Sequence, residues 1–155
     1  MTKYKVAIQR NRHPAIWKAI CRTLTHSYEA DVRALFTNCQ NDIALILEEV
    51  QVRQKTGFPY LCGPKIANYW LYVMTQHTDA NLKNRCCLSV APDTHVIQAS
   101  IALGAIDTDP DDPRAASMAA DAWRKILAGT ELCPIDIHTP LWLWSKNGFQ
   151  PAVPG

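Results

Sequence analysis

Lys65 is the side chain with the most chemical promise in this sequence of 155 residues. It stands in the stretch from Phe58 to Met74, which reads as a tight turn feeding a helix. Pro64 fits the first helical position because it has no N–H to leave unpaired. Gly63 is expected to supply the positive φ that a turn between two helices often needs. Lys65 then lies one residue inside a helix start, whose free N–H groups make a seat for a phosphate. A primary amine attacks only when unprotonated, and burial or a helix N-terminus disfavours the ammonium. The plainer reading is a surface lysine on a first turn.

Asp93 is the second candidate. An aspartate before Thr94-His95-Val96 reads as a helix N-cap. Held by backbone N–H groups, such a carboxylate stays ionised and is able to stabilise developing positive charge or to take a proton. His95 reads as support for it. In a similar run from Pro134 to His138, Asp136 reads as a turn cap before a helix, with function for Asp136 and His138 as the alternative. Tyr60, Tyr69, Trp70, Trp142 and Trp144 are core candidates, and some of them suit a stacking wall for a flat ligand. The histidines and cysteines show no Cys-x2-Cys or His-x3-His spacing, and adjacent Cys86 and Cys87 fit one tetrahedral ion poorly, so no metal is expected.

The pattern Leu-x-Gly-x-Lys-x-Ala from Leu61 to Ala67, followed by Pro92-Asp93-Thr94-His95-Val96, resembles the helix-hairpin-helix DNA glycosylases, the superfamily of endonuclease III and 8-oxoguanine DNA glycosylase. The resemblance covers roughly the middle and later two-thirds of the chain. It implies that Lys65 is the nucleophile toward the sugar of a damaged nucleotide and that Asp93 is the catalytic aspartate. It assigns the DNA-phosphate seat to the hairpin residues Leu61, Cys62, Gly63 and Pro64, and a base pocket to Tyr69, Tyr72 and Trp142. The implied activity is base excision with an associated abasic-site lyase step, on double-stranded DNA, by a monomer without cofactor, in the nucleoid-containing cytoplasm or in a nucleus. Two departures stand out. The family's hairpin usually has a glycine where this chain has Leu61, and Asp93 follows Lys65 by 28 positions, more than in the best-known members. Several members hold an iron–sulfur cluster on four C-terminal cysteines; after Cys87 only Cys133 remains here, so none is expected. Which base is removed stays open. A non-catalytic helix-hairpin-helix DNA-binding module and a helical partner-binding protein are the competing classes.

The elements that must position these residues read as helices throughout. Pro14 opens a segment with an apolar stripe of Ile16, Trp17, Ile20, Cys21 and Leu24. Ser27 is expected to cap a short helix burying Val32, Leu35 and Phe36, and Asn41 to cap the helix leading into the hairpin, with Ile43, Ile46, Leu47 and Val50 inward. The hairpin helix should run to about Thr75, followed over 76–92 by an irregular stretch or a short helical piece around Leu82. Asp93 starts the next helix and Gly104 ends it. A surface loop from Asp107 to Pro113 leads into a helix packing Ala116, Ala119, Ala120, Trp123 and Leu127, stopped by Gly129. Thr139-Pro140 starts the last helix, and 149–155 reads as a loose tail. The expected architecture is a single all-α domain.

Composition agrees with that. Nearly half of the residues are hydrophobic (48%) and 19% are charged, as a packed core requires and a disordered chain lacks. Net charge is only +2, so the chain as a whole is no polyelectrolyte. Lys3, Lys5, Arg10, Arg12, Lys18 and Arg22 nevertheless precede the first carboxylate, a face suited to phosphates or merely solvated. Six irregularly spaced cysteines and a start without an apolar leader point to a reducing compartment. No run is long and apolar enough for a membrane span.

Overall fold

Each helix of this protein begins or ends on an identifiable local device. The computed structural model describes Gln9 and residues 11–150, so Lys3, Lys5 and Arg10 of the basic stretch, and residues 151–155 of the tail, lie outside the described residues. The fold is all-α. The helices are α1 (Arg12–Ser27), α2 (Val32–Asn38), α3 (Ile43–Glu48), α4 (Pro64–His77), α5 (Thr94–Ala102), α6 (Ala115–Ile126) and α7 (His138–Lys146). Among the described residues there is no strand, only one parallel backbone bridge between Asp42 and Lys83.

The caps correct two sequence expectations. Ser27 is the last residue of α1, and Asp31 caps α2 by accepting a hydrogen bond from the Arg33 N–H at 2.8 Å. Asn41 ends a turn rather than starting a helix: its φ is +54°, and its N–H reaches back to the Phe36 carbonyl at 2.8 Å, closing α2. Asparagine tolerates that left-handed conformation. Asp42 then caps α3 through the Ala44 N–H. α3 runs on into one turn of π-helix, Glu49–Arg53.

α1, α2, α3 and α4 gather around a first apolar cluster. Leu35, Ile43, Ile46, Val50, Phe58, Leu71, Leu88 and Ile135 are among its fully buried members, with Ile20 and Leu24 of α1 packed against it. The Tyr28 hydroxyl donates to Glu49 at 2.6 Å, and burial with that carboxylate pushes the phenol pKa well up. A second cluster joins α5, α6 and α7 through Val90, Val96, Ala99 and Leu141. The apolar stripe of α1 is only partly covered, since Trp17 and Cys21 are exposed. At the other end Phe149 is no loose tail: its ring packs on Trp144 at 4.8 Å and its N–H bonds the Trp144 carbonyl. No helix of the described residues is long and apolar enough to cross a membrane.

Candidate functional site

α4 starts on Gly63, but in a manner other than expected. Gly63 has φ −96° and ψ 147°, an extended N-cap conformation open to any residue. A Cβ built there meets nothing nearer than the Tyr60 carbonyl at 4.0 Å. The turn is closed instead by the Cys62 N–H to the Phe58 carbonyl at 2.9 Å and by the Cys62 thiol to the Pro59 carbonyl at 3.0 Å. Leu61 packs against the first apolar cluster. The first intrahelical bond is the Ala67 N–H to the Gly63 carbonyl, which leaves the N–H groups of Lys65 and Ile66 without helical partners.

Asn68 ties the segment that carries Asp93 to this helix start. It is buried in α4, donates to the Pro64 carbonyl at 2.6 Å and accepts the Ser89 N–H at 2.8 Å. Buried Leu88, Ser89, Val90, Ala91 and Pro92 are thereby laid along α4, and Asp93 emerges beside its first turn. One oxygen of Asp93 caps α5, accepting the Val96 N–H at 3.0 Å. The other lies 3.9 Å from the Lys65 ammonium nitrogen. The two residues singled out by type and motif are therefore neighbours. The Asp93 side chain is 15% exposed and that of Lys65 is 55% exposed, so the burial expected for Lys65 is not found.

The pair opens onto a cleft of about 430 Å³ between α4 and α7, a size that suits a small-molecule or single-base guest. Ile66, Tyr69 and Trp70 form one wall; Trp142 and Leu143 form the other. Trp142 is held by two neighbours. The Lys146 ammonium sits 4.3 Å from its ring, and the His95 imidazole meets it edge-on at 5.5 Å. His95 is in turn fixed by the Ser145 hydroxyl at 3.2 Å, which donates onward to Gln98. Tyr72 does not reach the cleft. Three residues after Tyr69 on the helix, it turns toward the Arg85 guanidinium, which stands 5.8 Å over its ring.

His138 is the functional candidate that sequence reasoning undervalued. It lines the cleft, stacks at 5.1 Å on Tyr69, and its Nδ1 is buried without a partner. Burial depresses its pKa, the Lys65 charge adds to that, and Asp93 opposes it. The ring is therefore neutral at pH 7 and offers one donor and one acceptor. The only sequence signal was a histidine at the head of a helix rich in tryptophan. Asp136, by contrast, is the turn-former it resembled: it accepts the Cys133 N–H at 2.9 Å and pairs with Arg85. Beside that ion pair Cys86 and Cys133 are joined in a disulfide with their Cα atoms 4.5 Å apart, which nothing in the irregular cysteine spacing marked.

No protein-family model, no curated protein and no solved structure matches this chain. An amine and a carboxylate in contact, at the rim of an aromatic cleft and beside a helix N-terminus, form a group suited to anion seating, flat-ring binding and amine chemistry at a carbon electrophile.

Proposed function

We propose that the protein is a DNA glycosylase with an associated abasic-site lyase activity, acting on a damaged or mismatched base. The observation that carries this reading is the contact between Lys65 and Asp93, 3.9 Å apart at the mouth of the cleft. The start of α4 and the hairpin before it seat a DNA phosphate through backbone N–H groups, which fixes register without reading sequence. The target nucleotide swings out of the duplex, and its base enters between Tyr69 and Trp142, at the cost of a few kcal/mol of unstacking. His138 lines the same cleft beside Tyr69.

Lys65 hands its ammonium proton to Asp93 and attacks the sugar carbon that bears the base. The carbon–base bond breaks, and its electron pair leaves with the base, which takes up a proton. The amine–sugar adduct opens to an imine, from which strand cleavage proceeds. Asp93 passes the proton it took from Lys65 to the departing base and, ionised again, stabilises the cationic sugar.

Lys65 is half exposed and ion-paired, which suits a phosphate anchor as well as a nucleophile, so a non-catalytic DNA-binding module is the second reading. Borohydride separates the two. With single-lesion duplexes and an abasic-site duplex, the parent should yield a covalent protein–DNA adduct. Lys65→Ala should lose it while binding persists, and Asp93→Asn should slow base release by roughly 10²–10⁴. No adduct on any substrate, with binding intact, selects the binding module. An adduct that survives Lys65→Ala moves the chemistry to another amine.

A further inference from the structure

We propose that Cys86 and Cys133 form a reversible thiol–disulfide exchange site that clamps the candidate cleft, with Cys86 as the sulfur that an incoming dithiol attacks. This goes beyond the glycosylase reading and stands whether or not the chain binds nucleic acid.

The bond joins two turns 47 positions apart. Its two ends differ in access: Cys133 is 5% exposed, whereas Cys86 is exposed. Exchange requires a thiolate to reach a sulfur, and Cys86 is the one within reach. Four cysteines remain free, and two of these, Cys21 and Cys87, are exposed. Open thiols suit reducing surroundings, where a disulfide that does form is transient, catalytic or sensing.

Each bonded turn leads directly to a segment that lines the cleft. From Cys87 the buried run of Leu88 to Pro92 continues to Asp93. From Cys133 the turn Pro134–Ile137 continues to His138 and Trp142 on α7. These turns are also tied by Leu88 and Ala91, buried in one apolar cluster with Cys133 and Ile135, and by the ion pair of Arg85 and Asp136, whose side chains are part-exposed. Such a pair is a weak constraint by itself. Opening the disulfide removes the covalent tie between these lining segments and leaves the apolar packing to hold them.

In the forward step a thiolate of the dithiol partner bonds to the Cys86 sulfur. The Cys86–Cys133 bond breaks, and the Cys133 sulfur leaves with the electron pair and takes a proton. The partner's second thiol, deprotonated, then attacks the mixed disulfide, releases Cys86 to be protonated as a thiol, and leaves the partner as a disulfide. Two electrons pass to the chain. An oxidised dithiol runs the sequence backward.

Glutathione, with one thiol, arrests the reaction at its first stage. After brief exposure of the full chain and acid quenching, peptide mass mapping should find the adduct on Cys86. An adduct on Cys133, or alkylation of both cysteines in the air-oxidised chain before any reductant, overturns the assignment. Hydrogen exchange then reads the clamp. After a phosphine reductant, amides of 88–93 and 133–142 should exchange roughly tenfold faster while α2 and α3 keep their rates and the helical circular dichroism is retained. Cys86→Ser should give the same pattern without reductant, and treatment of the reduced parent with an oxidised dithiol should restore slow exchange. Unchanged exchange on reduction, loss of the helical signal, or failure to return on reoxidation each defeats the proposal.

Discussion

His138 lies beside Lys65 and Asp93 with one ring nitrogen buried and unpaired, which ties its protonation to folding. Burial first, and then the Lys65 charge, hold its pKa below the ordinary imidazole value of 6.5, with Asp93 pulling the other way. Above pH 6.5 the ring is neutral in both folded and unfolded chains and makes no pH-dependent contribution. Below it the unfolded chain takes up the proton first, so stability should fall from pH 6.5 down to the depressed native value. Thermal melts of the parent and of His138→Gln across the acid range check this: the variant should lose part of the acid-side slope, and equal slopes would assign the titration elsewhere. The same scale shows what was legible beforehand. Capping is local, so Asp93 could be read from its own neighbours, and the motif pointed to Lys65. The partners of His138 are Tyr69 and Asp93, remote in sequence, and only tertiary packing brings an unpaired imidazole between them.

Among the elements, the turn before α4 is where sequence reasoning and structure part. A glycine before a proline at a helix start suggested a left-handed residue, yet Gly63 is extended and has room for a side chain. The glycine of this turn that has no room for a side chain is Gly57. A Cβ there would stand 2.4 Å from the Thr23 hydroxyl oxygen and 2.8 Å from its methyl carbon, on the contact that seats α1 against the turn. Thr23 is short and branched, and it donates to the Ala19 carbonyl, so it has little freedom to retreat. Gly57→Ala should cost about 1–3 kcal/mol in denaturant unfolding, and Thr23→Ala in that background should recover part of the loss. Gly63→Ser should be neutral or stabilise by a few tenths of a kcal/mol, because a serine at that N-cap can bond a free N–H of α4. A reversed order of costs would place the constraint back at Gly63. Ser27 and Asn41 were misread for a related reason. Each stands close before an aspartate, and which residue of such a neighbourhood caps depends on where the preceding helix stops; Glu29, Ala30, Gln40 and Asn41, all with positive φ, decide that.

Across the whole molecule, a net charge of +2 provides little long-range field, so any hold on nucleic acid must come from local cations. α1 has exposed Arg12, Lys18 and Arg22 and no carboxylate, and Lys65 and Lys146 flank the cleft. A duplex held by about three to five phosphate contacts should give a log–log salt slope of roughly −3 to −5 in a titration. A slope near zero would remove nucleic acid as the partner. The backbone bridge of Asp42 with Lys83 and the bond of Cys86 with Cys133 follow each other directly along the chain. The polypeptide thus runs as two consecutive rings, 42–83 and 86–133, linked by Asn84 and Arg85. Lys65 belongs to the first ring and Asp93 to the second. Each ring closes at an entropic cost that rises only slowly with its length. The amine and the carboxylate of the site therefore come from different rings, and the pair exists only while the two rings are docked.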